Sequence, residues 1–195
     1  MRFSLAAATL ACASAVAAAP AACPAPTGGN QSTTSKTFGV MSIHSGSSVH
    51  YAGWGAFLNT LGAGLKDQGA SCDAGEKTNT ATFYIQDGAL YLYAQSATPQ
   101  EVWVDRSGMG MGIMGYTTGA QPAPKSGERK GWSIDENDHL LFGGNSFLAC
   151  PAKDGFSLWA ETGTDKPGWN EGCVGIAARV VPIEKPVGCL YSQQQ

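Results

Sequence analysis

The sequence predicts an all-β protein, and three observations lead there. After the leader described below, the longest run free of glycine and proline is Glu76 to Asp87, 12 residues. That spacing excludes long amphipathic helices, because in a helix interior Gly costs about 1 kcal/mol and Pro about 3. The segments between these breakers are aromatic and β-branched and alternate with polar neighbours, the period of a strand with one buried face. A hairpin-like unit also recurs. Met41 and Ile43 precede five turn residues, then Val49 and Tyr51; Phe83 and Ile85 precede four, then Leu90 and Leu92; Trp132 and Ile134 precede five, then Leu140 and Phe142. The isoleucines lie 42 and 49 residues apart. A threefold hairpin repeat of this length points to a compact β-trefoil-like barrel with Ile43, Ile85 and Ile134 in equivalent buried positions. A β-sandwich or another β-barrel also gives short, regularly spaced strands and is the alternative.

Taken in order, the chain opens with Met1-Arg2-Phe3, a short basic start. Ser4 to Ala18 is an uncharged small and apolar run, followed by Ala-Pro-Ala-Ala-Cys. This is the layout of a secretory signal peptide cut after Ala17 or Ala18. The run is too short and too alanine-rich for a membrane span of about 20 strongly apolar residues. Residues 1–18 are therefore expected to be signal peptide, 19–37 a polar lead-in, and 38–195 a single secreted β domain. The lead-in holds Asn30-Gln-Ser32, the only glycosylation sequon in the sequence. Within the domain the clearest strands are Ala81 to Tyr93, turning at Asp87-Gly88, then Glu101 to Asp105, Gly155 to Trp159, and Val174 to Val181. Thr117 to Lys130 and Glu161 to Gly172 read as long loops. The polar tail from Pro186 to Gln195 has no hydrophobic anchor signal, so no membrane attachment is expected.

Charged residues make up 14% of the chain, and the net charge is −3 without a basic block. Nucleic acid is not an expected partner, since phosphate is held by clustered Lys and Arg. Five cysteines remain after the leader: Cys23, Cys72, Cys150, Cys173 and Cys189. An odd number allows at most two bridges. The preferred pairs are Cys150–Cys173 and Cys23–Cys189, the latter tying the two ends together, with Cys72 free or paired outside the molecule; the spacing alone leaves connectivity open. There is no C-x-x-C or H-x-x-x-H spacing, so no metal site is expected.

Three stretches and the tryptophans are candidates for chemistry. Gly110-Met-Gly-Ile-Met-Gly115 matches G-x-G-x-x-G, but Tyr-Thr-Thr-Gly-Ala-Gln-Pro-Ala-Pro follows and cannot open the helix that a dinucleotide site needs. No cofactor is expected, and Met109, Met111 and Met114 are read as packing residues. Ile43 to His50 gathers serines with His44 and His50, yet neighbours on one hairpin rarely meet the geometry of a catalytic serine and histidine, and no G-x-S-x-G elbow is present. Asp135-Glu-Asn-Asp-His139 is the densest acidic cluster, lacks the spacing of a calcium loop, and falls where a hairpin turn is expected. No catalytic residue is assigned. Among five tryptophans, Trp103, Trp132 and Trp159 lie in strand-like segments and are predicted core. Trp54 and Trp169 sit among glycines and are the candidates for exposure, where an indole face can stack on a sugar ring.

A family resemblance adds to this. Phe83-Tyr-Ile-Gln-Asp-Gly-Ala-Leu-Tyr-Leu-Tyr93, Ala97-Thr-Pro-Gln-Glu, Val104-Asp-Arg-Ser-Gly-Met-Gly110, Gly115-Tyr-Thr-Thr-Gly-Ala-Gln-Pro-Ala-Pro-Lys125 and Gly131-Trp-Ser-Ile-Asp135 together closely resemble the PhiA cell wall proteins of filamentous fungi. Phe38-Gly39, Ile43-His-Ser-Gly46, Ala70-Ser-Cys-Asp73 and Gly175-Ile-Ala-Ala-Arg-Val180 extend the likeness over nearly the whole mature chain. The resemblance implies a secreted, wall-associated protein needed for development of phialides, the spore-bearing cells, and of conidia. It brings no catalytic residue and no cofactor. Three function classes stand: a structural or interaction protein of the wall, with polysaccharide or other wall proteins as partners; a carbohydrate-binding module for wall glucan, chitin or mannan; and a secreted hydrolase. The last requires two carboxylates or a Ser/His pair converging in a pocket.

Overall fold

Short runs of β-branched and aromatic residues, cut by glycine, become strands of two to nine residues. The computed structural model describes residues 36–95 and 98–194. The expected signal peptide, Cys23 and Asn30 lie outside the described residues. In chain order the strands are β1 (Phe38–Ile43), β2 (Trp54–Phe57), β3 (Thr60–Ala63), β4 (Ser71–Cys72), β5 (Phe83–Gln86), β6 (Ala89–Leu92), β7 (Gln100–Asp105), β8 (Ile113–Thr118), β9 (Gly127–Glu128), β10 (Trp132–Ile134), β11 (His139–Phe142), β12 (Phe147–Pro151), β13 (Phe156–Ala160), β14 (Val174–Pro182) and β15 (Cys189–Leu190). Asp73–Gly75 and Pro167–Trp169 are single 3-10 turns.

Thirteen strands form one antiparallel sheet in the order β1-β5-β6-β7-β8-β3-β13-β12-β14-β11-β10, with β2 on β3 and β9 on β7; β4 and β15 pair separately. The longest strand, β14, is the seam. Residues 177–182 pair with β1 along one edge. Along the other edge, residues 174–176 pair with β12 and 178–179 with β11. Because β1 also meets β5 at Phe38–Phe83, the succession of pairings returns to its start. Alternation decides which side chains turn inward: Phe38, Val40 and Ser42 on β1, Gln100, Val102 and Val104 on β7. Aromatic rings fill the centre. Trp54 meets Phe147 edge-on at 5.0 Å, and Trp132 stacks on Phe147 at 5.9 Å and tilts against Phe142 at 4.9 Å. Each such buried ring contributes on the order of 2–3 kcal/mol by leaving water.

Two of the three expected hairpins form, β5–β6 and β10–β11. At the first turn Asp87 and Gly88 have φ of 51° and 76°, the left-handed pair that a two-residue hairpin with the right twist demands. The Met41–Tyr51 hairpin does not form. Met41 to Ile43 belongs to β1, whose ladder partner is β14, and residues 44–52 fold back onto it as a compact loop, with a single bridge from Met41 to Gly53 and the Tyr51 N–H on the Ser42 carbonyl at 2.8 Å. The local hairpin is instead β2–β3, turning at Leu58-Asn59 with φ of 46° and 64°. Nor are the three isoleucines equivalent. Ile43 and Ile85 are half-buried, whereas Ile134 is 41% exposed. The described strands are thus all-β and antiparallel, and the threefold equivalence expected of a trefoil is not seen at these positions. Alternation marks a segment as strand but does not say which strand it pairs with.

The second expected bridge is also corrected. Cys189 is bonded to Cys72, not to Cys23, because β4 and β15 set Cys72 directly opposite Cys189. Cys72 is thus not free. Cys150 and Cys173 are bonded to each other.

After β15 the chain is locked into the sheet by polar contacts. The buried Gln100 side chain accepts the Tyr191 N–H at 2.8 Å and donates to the Tyr191 carbonyl at 3.0 Å. The Tyr191 hydroxyl accepts the Thr82 N–H at 3.1 Å, and the Tyr116 hydroxyl donates to the Ser192 carbonyl. Burial pushes both phenols up to about 12.

Candidate functional site

The stretches that resembled catalytic or metal sequences are committed to holding turns. His50 Nδ1 accepts the His44 N–H at 3.1 Å, and the His50 ring lies 3.8 Å from that of Tyr51. His44 Nδ1 is 2.6 Å from the Gly175 carbonyl. A carbonyl only accepts, so this nitrogen is assigned the proton. Ser47 Oγ caps the Val49 N–H at 3.4 Å. The Asp135 carboxylate accepts the N–H groups of His139 at 2.8 Å and Asn137 at 2.9 Å. These bonds, His139 first, hold its pKa below the ordinary carboxylate value. Asp138 faces Arg179 at 3.4 Å. Among the described residues no group of three or more His, Cys, Asp or Glu is arranged to hold a metal ion.

The glycines of the 110–115 segment serve close packing. A Cβ at Gly112, where φ is +91°, would sit 2.0 Å from the Ala160 carbonyl oxygen, and one at Gly115 would sit 2.6 Å from the Trp103 ring. This presses the 106–112 loop onto the end of β13. Met114 is buried and Met111 half-buried, but Met109 is 92% exposed at the loop tip and fills no gap, contrary to expectation.

The two tryptophans expected at the surface part company. Trp54 is 0% exposed, with Nε1 donating to Ser42 Oγ at 3.0 Å. Its flanking glycines mark tight contact, not a loop: a Cβ at Gly53 would lie 2.4 Å from Thr80 Cγ2. Trp132 is buried as expected, whereas Trp103 and Trp159 are half-buried on the strands and not core. Trp169 is 82% exposed.

The backbone at Trp169 has φ of 61°, immediately after Gly168 at 59°. A bulky residue in the left-handed region costs on the order of 1–3 kcal/mol and persists only where its surroundings fix it. They do so here. The Trp169 N–H reaches the Lys166 carbonyl and the Asn170 N–H the Pro167 carbonyl, both at 3.1 Å. Asn170 Nδ2 donates to the Pro167 carbonyl at 2.8 Å, and Lys166 pairs with Glu171 at 3.1 Å. Gly168 donates its N–H to Met111 Sδ at 3.3 Å and lies against Trp159, whose ring a Cβ there would approach to 2.5 Å. Cys173, bonded to Cys150 of β12, ends the loop.

The same loop begins with Glu161, Thr162 and Gly163. These line an open cavity of about 740 Å³ together with Arg106, Ser107, Ser126, Glu128 and Asn145. Arg106 and Glu128 meet at 2.9 and 2.7 Å, through Nε and Nη2 respectively. No sequence signal pointed to this pair, since its members are 22 residues apart and are joined only by β9 pairing with the end of β7. A second polar row, Tyr84, Tyr91, Glu101 and Thr117, runs across β5 to β8 at matched register. Arg129 closes that row by bonding Glu101 and Thr117. Burial, then Glu101, raises both tyrosine pKa values.

These features define a disulfide-braced, all-β protein with an exposed tryptophan, Trp169, on the loop whose first residues line an open polar groove. The sequence model of the PhiA-like secreted proteins matches residues 38–192, and the chain belongs to that family. Cell wall protein phiA of Aspergillus niger is 58% identical over 178 residues, covering 90% of this chain and 94% of that protein. Cell wall protein phiA of Aspergillus fumigatus is 53% identical over 186 residues, covering 94% and 96%. Cell wall protein phiA of Emericella nidulans is 53% identical over 163 residues, covering 82% and 88%. With the family goes the localisation, secreted and in the cell wall. No solved structure matches the chain.

Proposed function

We propose that this protein is a non-catalytic component of the fungal wall, that Trp169 holds it to wall polysaccharide, and that it serves phialide and conidium development from that position. The observation that carries the contact is Trp169 itself, 82% exposed on a left-handed backbone that its neighbours hold in place. An indole kept in water at a conformational cost suits a partner with a flat apolar face and hydrogen-bonding edges. A pyranose ring is such a partner. Fixing the backbone beforehand also lowers the entropy lost on contact. The non-catalytic part is supported by how His44, His50, Asp135 and Asp138 are spent on turns and pairs. The developmental part rests on the resemblance to PhiA proteins.

The test has two arms. Secreted protein bound to insoluble wall material is challenged with soluble glucan, chitin and mannan oligosaccharides. Displacement by one of them is expected, and retention against all three would favour protein partners instead. In a deletion strain, a folded and wall-located variant with Asp135, Glu136, Asp138, His44 and His50 replaced by alanine is expected to restore spore formation. Failure of that variant to restore it would point to chemistry at those residues.

A further inference from the structure

The groove at the start of the Trp169 loop is centred on one charge pair, with Glu161 as a second carboxylate in its lining. Arg106 offers Nε and Nη2 to the two carboxylate oxygens of Glu128, a fork that fixes the plane of both groups. Its guanidinium carbon lies 5.1 Å above the centre of the Phe142 ring. On another side stands Gly143, where a Cβ would come within 2.7 Å of Nη1. The guanidinium is therefore oriented before any ligand arrives. Hydroxyl, amide and carboxylate groups of Ser107, Asn145, Thr162 and Glu161 complete the lining.

This composition selects among ligands. A polyanion needs unpaired cations, and the only cation in the lining is Arg106, which Glu128 neutralises. An apolar small molecule needs an enclosed hydrophobic lining, and the residues here are polar and the cavity open. A polycation finds only the exposed carboxylate of Glu161 to pair with, whereas a ligand rich in neutral hydroxyls can bond both the Arg106–Glu128 pair and the side-chain hydroxyls and leave Glu161 in water. The groove and Trp169 are also parts of one structure. Glu161 to Gly163 and Trp169 lie on the same loop, and the wall containing Ser107 reaches that loop through Met111: Met111 N–H bonds the Ser107 carbonyl at 2.8 Å, and Met111 Sδ accepts from Gly168.

From this we infer that the Arg106–Glu128 groove is a subsite for a neutral polysaccharide, taking the hydroxyl edge of a chain that stacks another of its sugars on Trp169. The inference rests on the wall-polysaccharide reading of Trp169 and adds to it the site and the charge class of the ligand.

The test is titration calorimetry of the full secreted protein with three hexasaccharides: a neutral β-glucan, a cationic chitosan and an anionic oligogalacturonate. The neutral chain is expected to bind at least about tenfold tighter than either charged one. Arg106→Lys keeps the charge but loses the fork, and is expected to weaken glucan binding about tenfold, the scale of one charge-assisted hydrogen bond. Ser126→Tyr, at an exposed turn away from the core, fills the groove and is expected to abolish saturable binding. Equal affinity of both variants and wild type for glucan would overturn the groove site while leaving the Trp169 contact standing. Tighter binding of a charged chain would overturn the ligand class. Failure of the wild type to be retained on wall material at all would overturn the underlying reading, and the groove inference with it.

Discussion

The C-terminal segment and the Trp169 loop are built from the same parts and put to opposite ends. Each is a short stretch with little regular structure, each is stapled by a disulfide, and each centres on one aromatic side chain. Tyr191, two residues past Cys189, is 1% exposed, whereas Trp169, four residues before Cys173, is 82% exposed. Around Tyr191 the polar groups turn inward and satisfy one another through Gln100, Thr82 and Ser192. Around Trp169 the hydrogen bonds are spent within the loop and push the ring outward. A disulfide by itself therefore says nothing of purpose: one closes the fold, the other braces a surface. The comparison makes stability and the proposed binding separable, and that separation can be broken experimentally.

The largest effect is expected from the bridge that closes the fold. Replacing Cys72 and Cys189 together by serine releases a loop spanning 117 residues, worth about 5 kcal/mol on the chain-entropy account. Replacing Cys150 and Cys173 releases a span of 23, worth about 3 kcal/mol. Denaturant midpoints of the two double variants should rank in that order, and the reverse ranking would contradict the contrast.

Alkaline pH attacks the same region. The Tyr116 and Tyr191 phenols have pKa values of about 12 when folded, against 10 for a free phenol. The raised value means that the neutral form is favoured in the fold. That stabilisation is complete below pH 10 and is lost as pH rises toward 12, by about 2 kcal/mol for each tyrosine across the interval. Thermal melts between pH 9 and 12 should fall steeply, and Tyr116→Phe should flatten the fall.

Gln100→Ala is expected to cost about 2–4 kcal/mol, because the Tyr191 N–H and carbonyl both lose their buried partner. A chemical denaturation curve for this variant checks it, and a loss under about 0.5 kcal/mol would mean that water replaces the amide.

Much of this fold could be read from the chain, but unevenly. The hairpin at Asp87-Gly88 was legible because turn chemistry is local. The inward face of β7 was not: Trp103 was expected in the core, whereas Gln100, Val102 and Val104 are buried and Trp103 is half-buried on the opposite face. The partner of β1 was not, since Met41 to Ile43 pairs with residues more than 130 positions away and nothing in its own pattern encodes that. A separation of 117 residues likewise hid the bond between Cys72 and Cys189. Trp54 and Trp169 looked alike in sequence, each beside glycine. Gly53 and Gly55 proved to admit neighbouring chain, while Gly168 proved to turn the loop. The Arg106–Glu128 groove depends on strand register and carried no sequence signal.

The central claim is that this protein works by a surface contact that its stability does not need, and Trp169→Ala tests that most directly. Retention on insoluble wall material and thermal unfolding are to be measured on the same preparation. The expected result is at least about tenfold weaker retention with unfolding free energy unchanged or slightly raised, because the alanine removes an exposed ring and lowers the cost of the left-handed backbone only a little. Full retention by a folded Trp169→Ala protein would contradict the claim.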